Sequence, residues 1–188
     1  IPSSLVGSEM CIRDSTDRVI AGSLYLENSE IDNIDLRLEY YFGFNQFFTA
    51  GIFSKEILNP IEETVNESGD LIITSYQNVP LAEINGFEIE YEQVFEAIMD
   101  SPNDLLVKFN YTETESEVIV NPGDTYINSI GTVVDAQSLL ANGRDTRLQG
   151  QSDTIANFQI GLDNLQNQTQ ATLIVNYVSD RVRARGCL

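Results

Sequence analysis

Carboxylates are the one kind of reactive side chain that this sequence holds in abundance. It carries 29 Asp and Glu against 10 Lys and Arg, and no histidine. Two carboxylates at the right separation can cleave a glycosidic bond as acid and base. No pair is singled out here, and in a chain this acidic close pairs arise by chance. Without histidine, Ser-His-Asp and Cys-His sets and His-based metal sites are excluded. No glycine-rich phosphate cradle is present. No catalytic residue is therefore assigned, and the chain is expected not to be an enzyme. The acidic stretches "EETVNESGD" (62–70) and "NPGDTYINSIGTVVDAQ" (121–137) could offer oxygens to Ca²⁺. Neither has the D-x-D-x-D-G order of a dedicated loop, so both read as solvated loops, with no metal-binding or cofactor-binding residue assigned. "GDTY" and "NGRDTR" read as turns first.

The charge balance narrows the partners. A net charge of −19 argues against nucleic acid, whose phosphates call for Lys and Arg. It equally disfavours docking on anionic lipid headgroups. The two cysteines, Cys11 and Cys187, lie at opposite ends and form neither a metal motif nor a disulfide framework. No run approaches the roughly 18 apolar residues of a membrane-spanning helix, which says nothing about β-barrels. "IPSSLVGSEMCIRDS" has neither the basic start nor the apolar stretch of a signal peptide. Residues 2–15 resemble adaptor sequence translated at the end of a reading frame. Residues 1–15 are thus set apart as a non-native or disordered segment, and the fold is sought in 16–188.

The elements that must position the carboxylates are strands. In "NGFEIEYEQVF" (85–95), Phe87, Ile89, Tyr91 and Phe95 share one parity, and Glu88, Glu90 and Glu92 the other. The same period of two runs through 33–42, 46–57, 104–114, 155–164 and 170–178, and more weakly through 70–78. That makes seven candidate strands. Residues 92–100 could form a turn of helix before Pro102. Short connections at 43–45, 96–103 and 165–168 alternate with long polar ones near 58–70 and 117–153, and a short link at 79–81 breaks the pattern.

Two architectures fit strict alternation. A soluble sandwich buries one face and wets the other. A membrane barrel turns its apolar face to lipid and its polar face to a hydrated lumen. Sorted loop lengths, the aromatic cluster "YYFGFNQFF" and runs of nine or more alternating residues favour the barrel. On that reading Glu88, Glu90 and Glu92 face the lumen with Asp35, Arg37, Glu39, Lys55 and Lys108. A slip of one residue would place three carboxylates in hydrocarbon.

Several runs, taken in order, resemble the barrel of TonB-dependent outer-membrane receptors. They are "GSLYLENSEIDNIDLRLEYYFGFNQFFTAGIFSKEILNPIEE" (22–63), "AEINGFEIEYEQVF" (82–95) with Gly86, and "RLQGQSDTIANFQIGLDN" with "ATLIVNYVSDRV" (147–182). Leu148 to Ser152 match the outer rim of a late hairpin, and Asp153 stands where the family often has proline. The resemblance implies an all-β fold, an antiparallel up-and-down meander forming part of a transmembrane β-barrel, about seven strands of roughly 22. It implies the outer membrane of a Gram-negative bacterium and energy-coupled import of a scarce solute of siderophore, cobalamin or oligosaccharide class. Its implied partners are a plug domain outside this chain, through it an inner-membrane coupling complex, a small-molecule ligand at the outer loops, and outer-membrane lipid. The alternative is a soluble or surface β-sandwich that binds ligand through its loops.

Unpaired edge strands and an open apolar face are aggregation hazards. The isolated chain is predicted to aggregate in detergent-free buffer and to stay dispersed in micelles. Size-exclusion chromatography checks this, and a detergent-free monomer would refute it.

Overall fold

In the computed structural model, residues 18–68, 71–96, 103–128, 131–139, 146–164 and 166–184 are described. The segment 1–15, both cysteines and most of "NGRDTR" lie outside them. The strands in chain order are β1 (Arg18–Ile20), β2 (Glu30–Gly43), β3 (Gln46–Leu58), β4 (Ile61–Ser68), β5 (Leu71–Asn78), β6 (Leu81–Phe95), β7 (Asn103–Ile119), β8 (Thr125–Ile127), β9 (Val133–Asp135), β10 (Thr154–Asn164) and β11 (Thr169–Val178). A 3-10 turn at Ala136–Leu139 follows β9.

The fold is all-β. Six strands form one antiparallel sheet in the order β11-β10-β7-β6-β3-β2, an up-and-down meander whose outer strands β2 and β11 are open edges. The sequence expectation of seven strands in this meander needs correction. Residues 70–78 do form a strand, but β5 leaves the main sheet and pairs with β4 and, in parallel, with β1. Residues 61–68, expected as loop, form β4. The helical turn expected at 92–100 is also overturned as far as Phe95. Glu92 to Phe95 continue β6 opposite Lys108 to Leu105, and 97–100 lie outside the described residues.

The connections sort by side. The β2–β3, β6–β7 and β10–β11 ends lie at one end of the sheet, the first joined by a tight turn, while both long excursions, β4–β5 and 120–153, leave from the other. The tight turn is possible because Asn45 adopts a left-handed φ of 53°, which Asn tolerates well. Tyr41 pairs with Phe47 at the level of Lys108, the β6–β7 pairing ends at Leu105, and that of β10–β11 at the level of Asn103. The turns therefore step by about one residue per strand. At about 3.3 Å rise and 4.8 Å spacing, level turns would tilt the strands by about 35°.

Alternation holds across all six strands. Cross-strand rows such as Leu38, Ala50, Ile89, Tyr111, Ala156 and Tyr177 lie on one face. The next row, Tyr40, Phe48, Tyr91, Phe109, Phe158 and Val175, is nearly all aromatic. This apolar face is left open: Leu36 is 68% and Leu38 67% exposed. The compact core lies instead at the long-loop end. There Val79, Ala82 and Val118 pack against Ala136 and Leu139 of the 3-10 turn.

One glycine is required by packing. Gly86 lies opposite Phe53, whose ring rests over it. A Cβ at that position would stand 2.5 Å from both the Phe53 ring and the Glu113 carbonyl oxygen. Backbone cannot yield as a side-chain tip can, so Gly86→Ala is expected to destabilise the sheet by about 1–3 kcal/mol. Gly22→Ala, where a Cβ meets nothing within 4 Å, should be near neutral. Denaturant midpoints in detergent micelles check both. Equal midpoints for the two variants would refute the packing argument.

Candidate functional site

The site is the face of the main sheet opposite the apolar one. Period two puts Arg37 and Glu39 of β2, Glu88, Glu90 and Glu92 of β6, and Lys108, Asn110 and Thr112 of β7 on that single face. Asp35 and Lys55 share it, nearer the long-loop end. Every charge assigned to a lumen from sequence thus falls on the same side.

Arg37 is the centre of this face. Its Nε lies 2.8 Å from Glu39, one terminal nitrogen 3.2 Å from Glu88 and the other 3.7 Å from Glu90. Glu88 is two strands away, and the reach across β3 depends on Gly51. In register, Gly51 stands between Arg37 and Glu88, and a Cβ there would come within 3.2 Å of the Glu88 side chain. The absent side chain opens the path for the guanidinium. Tyr41 donates its hydroxyl to Glu39 at 2.7 Å, and Lys108 pairs with Glu92 at 2.9 Å directly across the strands. Asn157 then donates to Asn110 at 3.2 Å, carrying the polar face on to β10. Three carboxylates on one strand are tolerable because two cations sit among them, Lys108 from the adjacent β7 and Arg37 reaching over from β2.

Lys55 stands apart. Among the described residues no carboxylate lies within ion-pair distance of it, and its ammonium sits 5.5 Å from the centroid of the Phe53 ring. Below it, a cavity of about 460 Å³ opens on the charged face, lined by Asp35, Phe53, Lys55, Ile84, Thr112 and Gln151 with the Arg37–Glu88 pair.

At the long-loop end the same face turns apolar. Ile31, Ile57, Ala82 and Val118 form one cross-strand row. Ala136 and Leu139 bury Ala82 and Val118, while Ile31 stays 61% exposed. The 120–139 excursion therefore covers half of this rim. The segment 148–152, matched from sequence to an outer rim, is fastened there. Gln149 donates its backbone N–H to the buried Glu62 at 3.1 Å, and its side-chain amide bridges the N–H and C=O of Glu63 at 2.7 and 2.6 Å. Asp153 accepts from Arg147 at 2.9 Å, and Arg147 also reaches Asp180 at 3.3 Å.

The loops considered for Ca²⁺ use their carboxylates locally. Asp124 accepts the Asn121 N–H at 2.7 Å and Asp135 the Gln137 N–H at 2.9 Å, each fixing a turn. Among the described residues no group of three or more Asp, Glu or Cys is placed to hold a metal ion. Sequence reading missed the Lys55–Phe53 contact, the Gln149 clamp and the role of Gly51. A Gly at the centre of an alternating strand was the available signal for the last. Comparison with known protein families, with curated proteins and with solved structures finds no match to this chain.

The ion pairs around Arg37 are about 40–45% exposed, so they are screened and individually weak. Arg37→Gln is expected to cost about 0.5–1 kcal/mol at low ionic strength and less in about 1 M salt, where the Debye length is short. Urea unfolding in micelles at both salt concentrations checks this. A cost that does not change with salt would show that Arg37 acts through packing alone.

Proposed function

We propose that this chain is a wall segment of an outer-membrane β-barrel of TonB-dependent receptor type, serving energy-coupled import of a scarce solute. One observation carries the reading: the apolar band on the open face has the height of a bilayer. In β6 it runs nine residues, from Phe87 to Phe95, interrupted on that parity only by Gln93, to which Tyr91 donates its hydroxyl. Nine residues rise about 30 Å, and the tilt of about 35° that level turns would impose brings that to about 25 Å, the height of the lipid-facing band in such barrels.

What flanks the band supports the same reading. One end meets the turns, with Phe42, Phe44 and Phe95 close by. The other meets an acidic row, Asp32, Glu56, Glu83 and Glu117, in register across four strands. Carboxylates are excluded from hydrocarbon, so lipid must end before this row. On β7 it must end sooner, where Glu113 of the same face stands in register with Phe87 and accepts the Tyr111 hydroxyl. The charged face behind the band is then a hydrated wall. Its carboxylates outnumber its cations, which suits a filling domain of complementary charge. A soluble sandwich would need a second sheet over Leu36, Leu38, Ile52 and Leu173, all at least 60% exposed.

The test is a matched pair of arginine substitutions in the protein expressed with its native flanking sequence in a Gram-negative host. Leu38→Arg lies on the apolar face and is expected to cost about 2–4 kcal/mol, lowering the amount recovered in the outer membrane. Thr112→Arg lies on the charged face and should insert normally. Recovery of the unsubstituted protein in the soluble fraction would overturn the reading in favour of a soluble binding module.

A further inference from the structure

We infer that the cavity below Lys55 is a binding site for a neutral, hydroxyl-rich solute of oligosaccharide type. The inference rests on the wall reading above and names the class of solute the wall would meet first. The cavity's volume of about 460 Å³ lies within the roughly 300–1,000 Å³ of small-molecule sites. Five strands contribute to it, and Gln151 of the fastened rim segment closes one side.

Electrostatics selects the class. Arg37 is held by three carboxylates and has no charge left to offer. The lining as a whole holds two carboxylates, Asp35 and Glu88, and two cations, Arg37 and Lys55, so it presents donors and acceptors with little net charge. An anionic solute would approach against a chain charge of −19. A cationic one would meet the Lys55 ammonium, which no carboxylate neutralises at ion-pair distance among the described residues. A neutral polyol avoids both penalties.

Hydrogen bonding and shape agree. Lys55 donates, Asp35 accepts, and Thr112 and Gln151 do either, which matches hydroxyls that are donor and acceptor at once. Phe53 and Ile84 supply an apolar wall for C–H faces, and the exposed Ile31 with Ile57 forms an apolar ledge above the cavity. The 120–139 excursion covers only the other half of the rim, so this half is the open approach.

The experiment uses outer-membrane vesicles carrying the intact protein with its native flanking sequence. They are applied to an array of neutral oligosaccharides, with oligogalacturonates as anionic and chitosan oligomers as cationic probes. At least one neutral oligosaccharide is expected to retain the vesicles, and the charged probes are not. Lys55→Met and Gln151→Ala should each weaken that retention about tenfold, the loss of one or two hydrogen bonds. Glu56→Gln on the opposite face should leave it unchanged at equal membrane levels. Retention by charged probes alone, by none, or by neutral probes regardless of Lys55 and Gln151 would overturn the inference. Absence of the protein from the vesicles would instead overturn the wall reading, so the two failures are distinguishable.

Discussion

Everything in this molecule depends on the strand register. Six strands present bulky apolar groups to one side and charge to the other, and a slip of one residue anywhere would exchange the two. The Arg37 group shows how strictly the register is held. The guanidinium meets Glu88 only because Gly51 stands between them, and Glu39 and Glu90 are in reach only because their row lies next to it. The same register places Phe53 against Gly86 and Glu92 against Lys108. Charge pairing, aromatic packing and an apolar band with one carboxylate, Glu113, at its border are three consequences of one alignment.

That alignment continues past the sheet. β3 runs into β4 and β5 into β6, and Ile61 opposite Asn78 keeps the pairing that sets Leu58 opposite Leu81. Between them lie Pro60 and Pro80, which cannot donate to a ladder. Two backbone bonds, Asn59 N–H to Pro80 at 3.1 Å and Val79 N–H to Pro60 at 2.9 Å, carry the pairing across. Asn59 takes a left-handed φ of 51°, so the hairpin turns without changing register. Asn78 secures the joint by donating to the carbonyls of Asn59 and Glu27. The rim thus inherits its orientation from the wall below.

The wall was legible in the sequence because its physics is local. Alternation of Ile34, Leu36, Leu38 and Tyr40 against Asp35, Arg37 and Glu39 is visible within one strand, as is the tight turn beside it. The rim was not legible, because there burial depends on distant partners. "IEETVNES" has a strand's pairing but not its pattern. Glu62 and Thr64 are buried, and what makes burial tolerable is Gln149, 87 residues from Glu62, and Ser75 across the hairpin. Polar burial satisfied from afar looks like a loop when read locally. The end of β6 failed in the opposite sense. Its acidic run suggested a helical turn, but Glu92 had a lysine waiting on the next strand.

The division between wall and rim also explains where binding specificity can reside. Along the apolar band every position is committed, outward to the apolar face and inward to the charge network, so a substitution there acts on stability. At the long-loop end both commitments relax. The outward rows become acidic, the inward row becomes apolar, and half of that inward row is covered by Ala136 and Leu139 while half stays bare. Lys55 lies on this boundary, where its cross-strand neighbours are Asn33 and Ile84 rather than carboxylates. Among the described residues no carboxylate reaches its ammonium, although an acid at either of those two positions would have sufficed, so here the register leaves a cation free of the charge network that fixes the wall.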